Sequence, residues 1–155
     1  MSTSQSTRLV RGYAGRALRE TAGFAILPAK TIGTAGEQFI AYRALEEGLH
    51  VAQPLGDNLP YDLLVDSGQE ILRLQIKTTT TEEQGKYGFV LQHGGNGSSY
   101  QDDTIDFFGL VALPLRTIYI VSKSSMNGRM KAYVYPGNPD SIGRLEIYRE
   151  NWDLL

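Results

Sequence analysis

The chain has 155 residues, 41% of them hydrophobic, and a formal net charge of −2 at neutral pH. That length buries one sizeable core, and no apolar run approaches the roughly 18 to 20 residues needed to span a bilayer, so a membrane protein is excluded. No cysteine is present, which excludes disulfides, zinc-thiolate sites and thiol nucleophiles, and His50 and His93 lack ligand-like spacing, which argues against a histidine metal centre or a His-based triad. The polar start from Met1 to Ser6 is unlike a secretory signal, and a cytoplasmic location is expected.

Residues 1–30 carry Arg8, Arg11, Arg16, Arg19 and Lys30 against Glu20, a charge of +4 that leaves −6 for the remainder. The asymmetry divides the chain into a basic N-terminal arm over 1–30, interrupted at Gly12-Tyr13-Ala14-Gly15, and a single domain over 31–155. Such an arm suits contact with DNA, although a solvated helix or a self-association element has the same pattern.

Gly33-Thr34-Ala35-Gly36-Glu37 opens a predicted helix that reaches Glu47, with Thr34 as N-cap and Gly48 as stop signal. At about 3.6 residues per turn, Glu37 shares a stripe with Ile40, Ala41 and Ala44. A carboxylate on that inward stripe needs a partner or a metal, because desolvating an unpaired charge costs several kcal/mol. The alternative to a metal is a salt bridge to Arg73 or Lys77.

Tyr61 to Asp66 and Glu70 to Lys77 read as a hairpin turning at Ser67-Gly68. Alternation puts Asp62, Leu64, Asp66, Ile71, Arg73, Gln75 and Lys77 on one face and Tyr61, Leu63, Val65, Leu72, Leu74 and Ile76 on an apolar core face. An odd loop would mix charges into the apolar set, so the pattern selects an even register. In that register Asp62 is expected opposite Arg73, with Gln75 its diagonal neighbour at roughly 7 Å. A polar solvated face would give the same alternation without any chemistry.

Tyr87 to Gln92 is a further predicted strand, followed by an exposed loop at Gly94-Gly95-Asn96-Gly97-Ser98-Ser99. Phe107 to Leu113, expected to be buried on both faces, and Thr117 to Ser122 flank a turn at Pro114, while Lys131 to Tyr135 and Leu145 to Tyr148 are expected to extend the sheet. Tyr119, Tyr133, Tyr135 and Tyr148 suit either packing or stacking on bases.

An acidic helix, then Asp62 on one hairpin strand, then Gln75-Ile76-Lys77 on the next, resembles the PD-(D/E)xK nucleases. Within them the runs Gly33 to Glu37, Pro54 to Asp62 and Leu74 to Thr78 look most like the small homing endonucleases encoded in bacterial group I introns, with a weaker continuation at Tyr100 and Asp106-Phe107-Phe108. The resemblance implies an α/β (α+β) restriction-endonuclease-like core, a mixed β-sheet flanked by helices. It also implies a Mg²⁺-dependent endonuclease, with Mn²⁺ as substitute, that acts on double-stranded DNA as a homo-oligomer, dimer or tetramer.

Carried over by position, Asp62 would be the bridging metal ligand, Gln75 a neutral ligand or water-orienting group, Lys77 the cation at the transition state, and Glu37 the outer shell. Arg8, Arg11, Arg16, Arg19, Arg73 and Thr78 would contact DNA, with Arg73 equally suited to partnering Asp62. Two departures stand out: the usual Pro-Asp pair is here Pro60-Tyr61-Asp62, and the second acid is the neutral Gln75. Rival readings are a structure-selective nuclease, such as a Holliday junction resolvase, and a non-catalytic DNA- or protein-binding module on the same fold.

Overall fold

Pro28 fixes the entry to the first helix, α1 (Ala29–Glu46): its φ of −56° suits a first turn, and its carbonyl accepts the first helical bond from Ile32 N at 3.1 Å. The computed structural model describes residues 27–93, 98–99 and 104–155; Arg8, Arg11, Arg16, Arg19, Tyr100 and the glycine-rich stretch 94–97 lie outside these. The helix therefore begins earlier than expected, and Thr34 is an interior residue, not the N-cap. Nothing between Ala29 and Gly33 breaks a helix, so the boundary falls at the proline.

The C-terminal end is where Gly48 predicts it. Gly48 takes a φ of +81°, its N–H donates to Leu45 O at 3.1 Å, and Leu49 N donates to Ala44 O at 3.0 Å. These two bonds form a Schellman cap, with Leu49 packed back on the core that contains Ala44.

A short strand, β1 (His50–Ala52), follows and pairs antiparallel with β2 (Leu63–Asp66), which pairs antiparallel with β3 (Ile71–Thr79). The hairpin between β2 and β3 turns on Gly68-Gln69, where Ser67 N donates to Glu70 O at 3.1 Å and Gly68 has a φ of +80°. This centre is one residue beyond the expected Ser67-Gly68, so the pairing shifts by two: Leu64, not Asp62, stands opposite Arg73. Asp66 selects the turn, since its Oδ1 accepts from Gly68 N at 2.8 Å. A two-residue shift keeps parity, and from Leu63 onward the faces remain as read from alternation; Tyr61, ahead of β2, does not follow it.

Beyond β3 the chain forms β4 (Glu82–Glu83), β5 (Lys86–Val90), β6 (Gln92–His93) and β7 (Ser98–Ser99), then returns through β8 (Phe107–Ala112) and β9 (Thr117–Ser122). The main sheet is five-stranded, ordered β1-β2-β3-β8-β9, and mixed, with β3 and β8 parallel. A short helix α2 (Lys123–Met126) leads to β10 (Lys131–Val134), which joins a separate three-stranded sheet, β10-β5-β4, and does not extend the main one. Leu145 to Tyr148 likewise adds no strand: Glu146–Tyr148 is a 3-10 turn, and only Arg149 bridges to Tyr119.

Three layers result, with a core on each face of the main sheet. On one face Ile40 and Ala44 of α1 meet Leu63, Val65, Leu72, Leu74, Ile76, Val111, Ile118 and Ile120 of the sheet. On the opposite face Phe108, Leu110, Tyr119 and Val121 meet Tyr87, Phe89, Ala132 and Val134 of the smaller sheet. β8 is thus buried on both faces, as its continuous apolar run predicts. Tyr61 packs on the small-sheet side, away from Leu63 and Val65.

Two glycines set how closely α1 approaches the sheet. A Cβ on Gly36 would lie 1.8 Å from Thr78 Oγ1, and one on Gly109 would lie 2.4 Å from Ile40 Cδ1. Ile40, fully buried above Gly109, contributes roughly 1.5 to 3 kcal/mol by leaving water.

Candidate active site

Asp62 stands just before β2, held to β3 by its own N–H, which donates to Leu74 O at 2.8 Å. Extending the β2–β3 register places it directly opposite Gln75. Asp62 Oδ2 accepts from Ile76 N at 2.7 Å and from Gln75 Nε2, so one oxygen is fixed by backbone and amide together. The Gln75 amide also donates to Ile76 O at 3.3 Å, and its side chain is buried, only 8% exposed. With Nε2 so engaged, Oε1 is the atom of Gln75 left to act as an oxygen donor.

Lys77 follows two residues along the same face and donates from Nζ to Gln92 O at 3.2 Å. Burial lowers its pKa, opposed by the negative charge of Asp62. Asp62 is shifted the other way: burial raises its pKa, opposed by the Ile76 N–H, the Lys77 charge and the Gln75 amide.

α1 brings Glu37 to the edge of this group. Gly36, Ile40, Ala41 and Ala44 form the buried stripe of the helix, and Glu37 sits half-buried beside it. Glu37 and Asp62 line one cavity of about 270 Å³, together with Gln38, Gln53, Asp57 and Tyr61. The pKa of Glu37 is raised, first by burial and then by the charge on Asp62. These two carboxylates therefore repel each other across the cavity, the condition that a bound cation relieves. Asp57 and Gln53 also line it; Asp57 lies within the run Pro54 to Asp62, but no periodic pattern marks which residues of an irregular loop turn inward.

Arg73 is engaged elsewhere and Thr78 is covered by the helix. Arg73 pairs with Asp106, not Asp62: its Nε donates to Oδ2 at 3.0 Å, one terminal nitrogen to Oδ1 at 3.0 Å, and its backbone N to Oδ2 at 2.7 Å. The guanidinium holds the Asp106 carboxyl below its usual range. Thr78 lies on the helix side of β3, where its Oγ1 is buried under Gly36 without a hydrogen-bond partner, so the hydroxyl is not presented to a ligand. Tyr119 is fully buried and donates to Glu146 Oε2 at 2.9 Å, and Tyr148 donates to Ser125 Oγ at 3.0 Å; both are packing residues.

The sequence model of the PD-(D/E)XK endonuclease family matches residues 27–136, which span α1, the hairpin, β8, β9 and β10. The chain belongs to this family. Its structure is similar to that of a bacterial homing endonuclease, I-Ssp6803I, with 26% identity and a TM-score of 0.69, over 82% of this chain and 90% of that one. No curated protein matches the chain by sequence.

As a PD-(D/E)XK endonuclease the chain is a nuclease with the mixed-sheet fold that the acidic helix and hairpin imply. No helix among the described residues is long and apolar enough to cross a membrane. Nucleases of this family generally use divalent metal ions. No group of three or more His, Cys, Asp or Glu that could hold a metal comes together among the described residues. The donors that fit a hard cation are instead Asp62, Glu37 and the amide oxygen of Gln75, two charged and one neutral.

Proposed function

We propose that the chain is a Mg²⁺-dependent endonuclease of homing type that hydrolyses phosphodiester bonds in a specific double-stranded DNA target. The observation that carries this reading is the meeting of Asp62 with Gln75 on paired strands, with Glu37 across a shared cavity and Lys77 on the same face. The likeness to a bacterial homing endonuclease supports the target class.

Asp62 and Glu37 would hold Mg²⁺, or Mn²⁺ in its place, with Gln75 Oε1 as a neutral third donor. When bound, the ion lowers the pKa of a water and offsets charge on the scissile phosphate. Gln75 Nε2 and Ile76 N keep Asp62 turned toward the cavity. Lys77, a compact cation whose proton is loosened by burial, faces the negative charge that builds on the phosphate oxygens. One such site cuts one strand, so double-strand cleavage calls for a homo-oligomer, dimer or tetramer. The arm over 1–30, with Arg8, Arg11, Arg16 and Arg19, adds contacts to DNA outside the cut, and the protein works in the cytoplasm.

The test is cleavage of long duplex DNA with Mg²⁺ by the wild type, Asp62→Ala and Lys77→Ala. Both variants are expected to lose cleavage while Lys77→Ala keeps most of its DNA binding; unchanged cutting by either removes the site assignment. Preference for four-way junctions over every linear duplex would replace the homing reading with a resolvase.

A further inference from the structure

The chain is acidic overall, yet one side of the smaller sheet is basic. Three adjoining hollows of about 710, 220 and 240 Å³ run from α2 and the start of β8 onto it, the first and second sharing Arg129, the second and third sharing Lys131 and Tyr133. Lys123 lines the first, Arg144 the second and Lys86 the third. The acids along the same path are Asp106, already clamped by Arg73, and Glu83.

Arg129, Lys131, Arg144 and Lys86 form no ion pair with a carboxylate among the described residues. Arg129, Lys131 and Arg144 are exposed. Arg144 donates to Ser125 O at 2.9 Å, and Lys86 Nζ stands 4.8 Å above the Tyr133 ring. Tyr133 itself is 44% exposed beside Gly88, which leaves its ring room over the strand. Four cations without a carboxylate partner among the described residues, Lys86, Arg129, Lys131 and Arg144, around an exposed aromatic are an electrostatic footprint for a polyanion.

The first hollow adjoins the catalytic strand. β4 follows directly from β3, and Asp106 in the first hollow is bonded to Arg73, two residues before Gln75.

We propose that Lys86, Arg129, Lys131 and Arg144, arranged around Tyr133, bind the phosphate backbone of double-stranded DNA flanking the cut. This rests on the nuclease reading above. The cations act as phosphate contacts that position the duplex and carry no sequence information.

The triple variant Arg129→Gln, Lys131→Gln, Arg144→Gln tests it, by fluorescence anisotropy with a labelled random-sequence duplex, without divalent metal, over a series of KCl concentrations. Each phosphate contact adds about 0.9 to the slope of log K against log salt, so the triple variant is expected to lose about 3 from that slope and at least roughly tenfold in affinity. Arg116→Gln, an exposed cation off this surface, should change the slope by less than one contact's worth, about 0.9. If circular dichroism shows the triple variant unfolded, the exposed Lys131→Glu serves in its place, with weakened duplex binding expected. A full slope in the folded variant overturns the proposal and assigns the surface to another partner, such as an acidic protein; a wild type that does not bind duplex overturns it too. Wild type that binds through this surface yet never cuts with Mg²⁺ would instead sink the nuclease reading alone.

Discussion

Gln75 Nε2 donates to Asp62 Oδ2 across the β2–β3 pair, so the residue that replaces the family's second acid serves to hold the first. A carboxylate has no such proton to give. Gln75→Glu would set two negative charges against each other in a buried place, and without metal it is expected to lose about 1 to 3 kcal/mol of stability. A divalent cation should then stabilise the variant more than the wild type, since any ligand that favours the native state raises stability in proportion to RT ln(1 + [L]/Kd). Thermal melts with EDTA and with Mg²⁺ read both effects. Equal Mg²⁺ responses in the two proteins would leave position 75 without a role in holding metal.

The Arg73–Asp106 clamp ties the first residues of β8 to β3 at the start of their parallel ladder, with Asp106 N donating back to Arg73 O at 2.9 Å. Asp106→Ala removes the acceptor for the Arg73 N–H and guanidinium, at an expected cost of about 2 to 3 kcal/mol. Because the folded pKa of Asp106 lies below its ordinary 3.8, its charge stabilises the fold above that value, and the gain disappears as pH falls through the lowered value. The stability gap between wild type and Asp106→Asn should accordingly be present at neutral pH and close below about pH 4. Urea unfolding at the two pH values measures it, and a gap that persists in acid would mean that geometry, not charge, holds this junction.

Gly36 lies over Thr78 with no room for a methyl group, since the added Cβ would sit 1.8 Å from Oγ1 and 2.8 Å from the Thr78 Cβ. Gly36→Ala is expected to destabilise by about 1 to 3 kcal/mol through overpacking, and Thr78→Ala should restore only part, because the second contact remains. Thr78→Val keeps the shape and removes a buried hydroxyl that has no partner, so stability should hold or rise by about 1 kcal/mol, with DNA affinity unchanged. A loss of DNA affinity in Thr78→Val would return Thr78 to the set of DNA contacts.

Strand parity was legible in the sequence because a period of two is carried by every residue of β2 and β3, and any even loop preserves it. The Glu37 stripe and the Gly48 stop were legible for the same reason: helical spacing and a left-handed cap are local properties. The turn centre was not, since Ser67-Gly68 and Gly68-Gln69 are both acceptable hairpin turns and only the Asp66 side chain decides between them. The partner of Arg73, open in the sequence between a DNA phosphate and Asp62, was not legible, because Asp106 lies 33 residues away, across a parallel pairing that alternation within one hairpin cannot reveal. The three-residue β1 is too short to show a period, and Leu145 to Tyr148 alternates like a strand but folds as a 3-10 turn around Glu146, whose carboxylate takes up Tyr119, Tyr135 N and Arg149.

Lys77 offers a way to separate function from stability. Burial depresses its pKa, which means the folded state disfavours the ammonium, and at neutral pH that charge weakens the fold. Lys77→Met keeps the stem and removes the charge. The loss of its attraction to Asp62 partly offsets the gain, so the melting temperature is expected to stay level or rise slightly. Cleavage, by contrast, needs a cation facing the phosphate and should fall by at least about 10²-fold, the scale seen when one preorganised electrostatic contact is removed. Parallel melts and single-turnover cleavage assays measure the pair. A variant that loses both would mark Lys77, through its bond to Gln92 O, as a structural strut between β3 and β6; one that stays stable and inactive places its worth in the reaction.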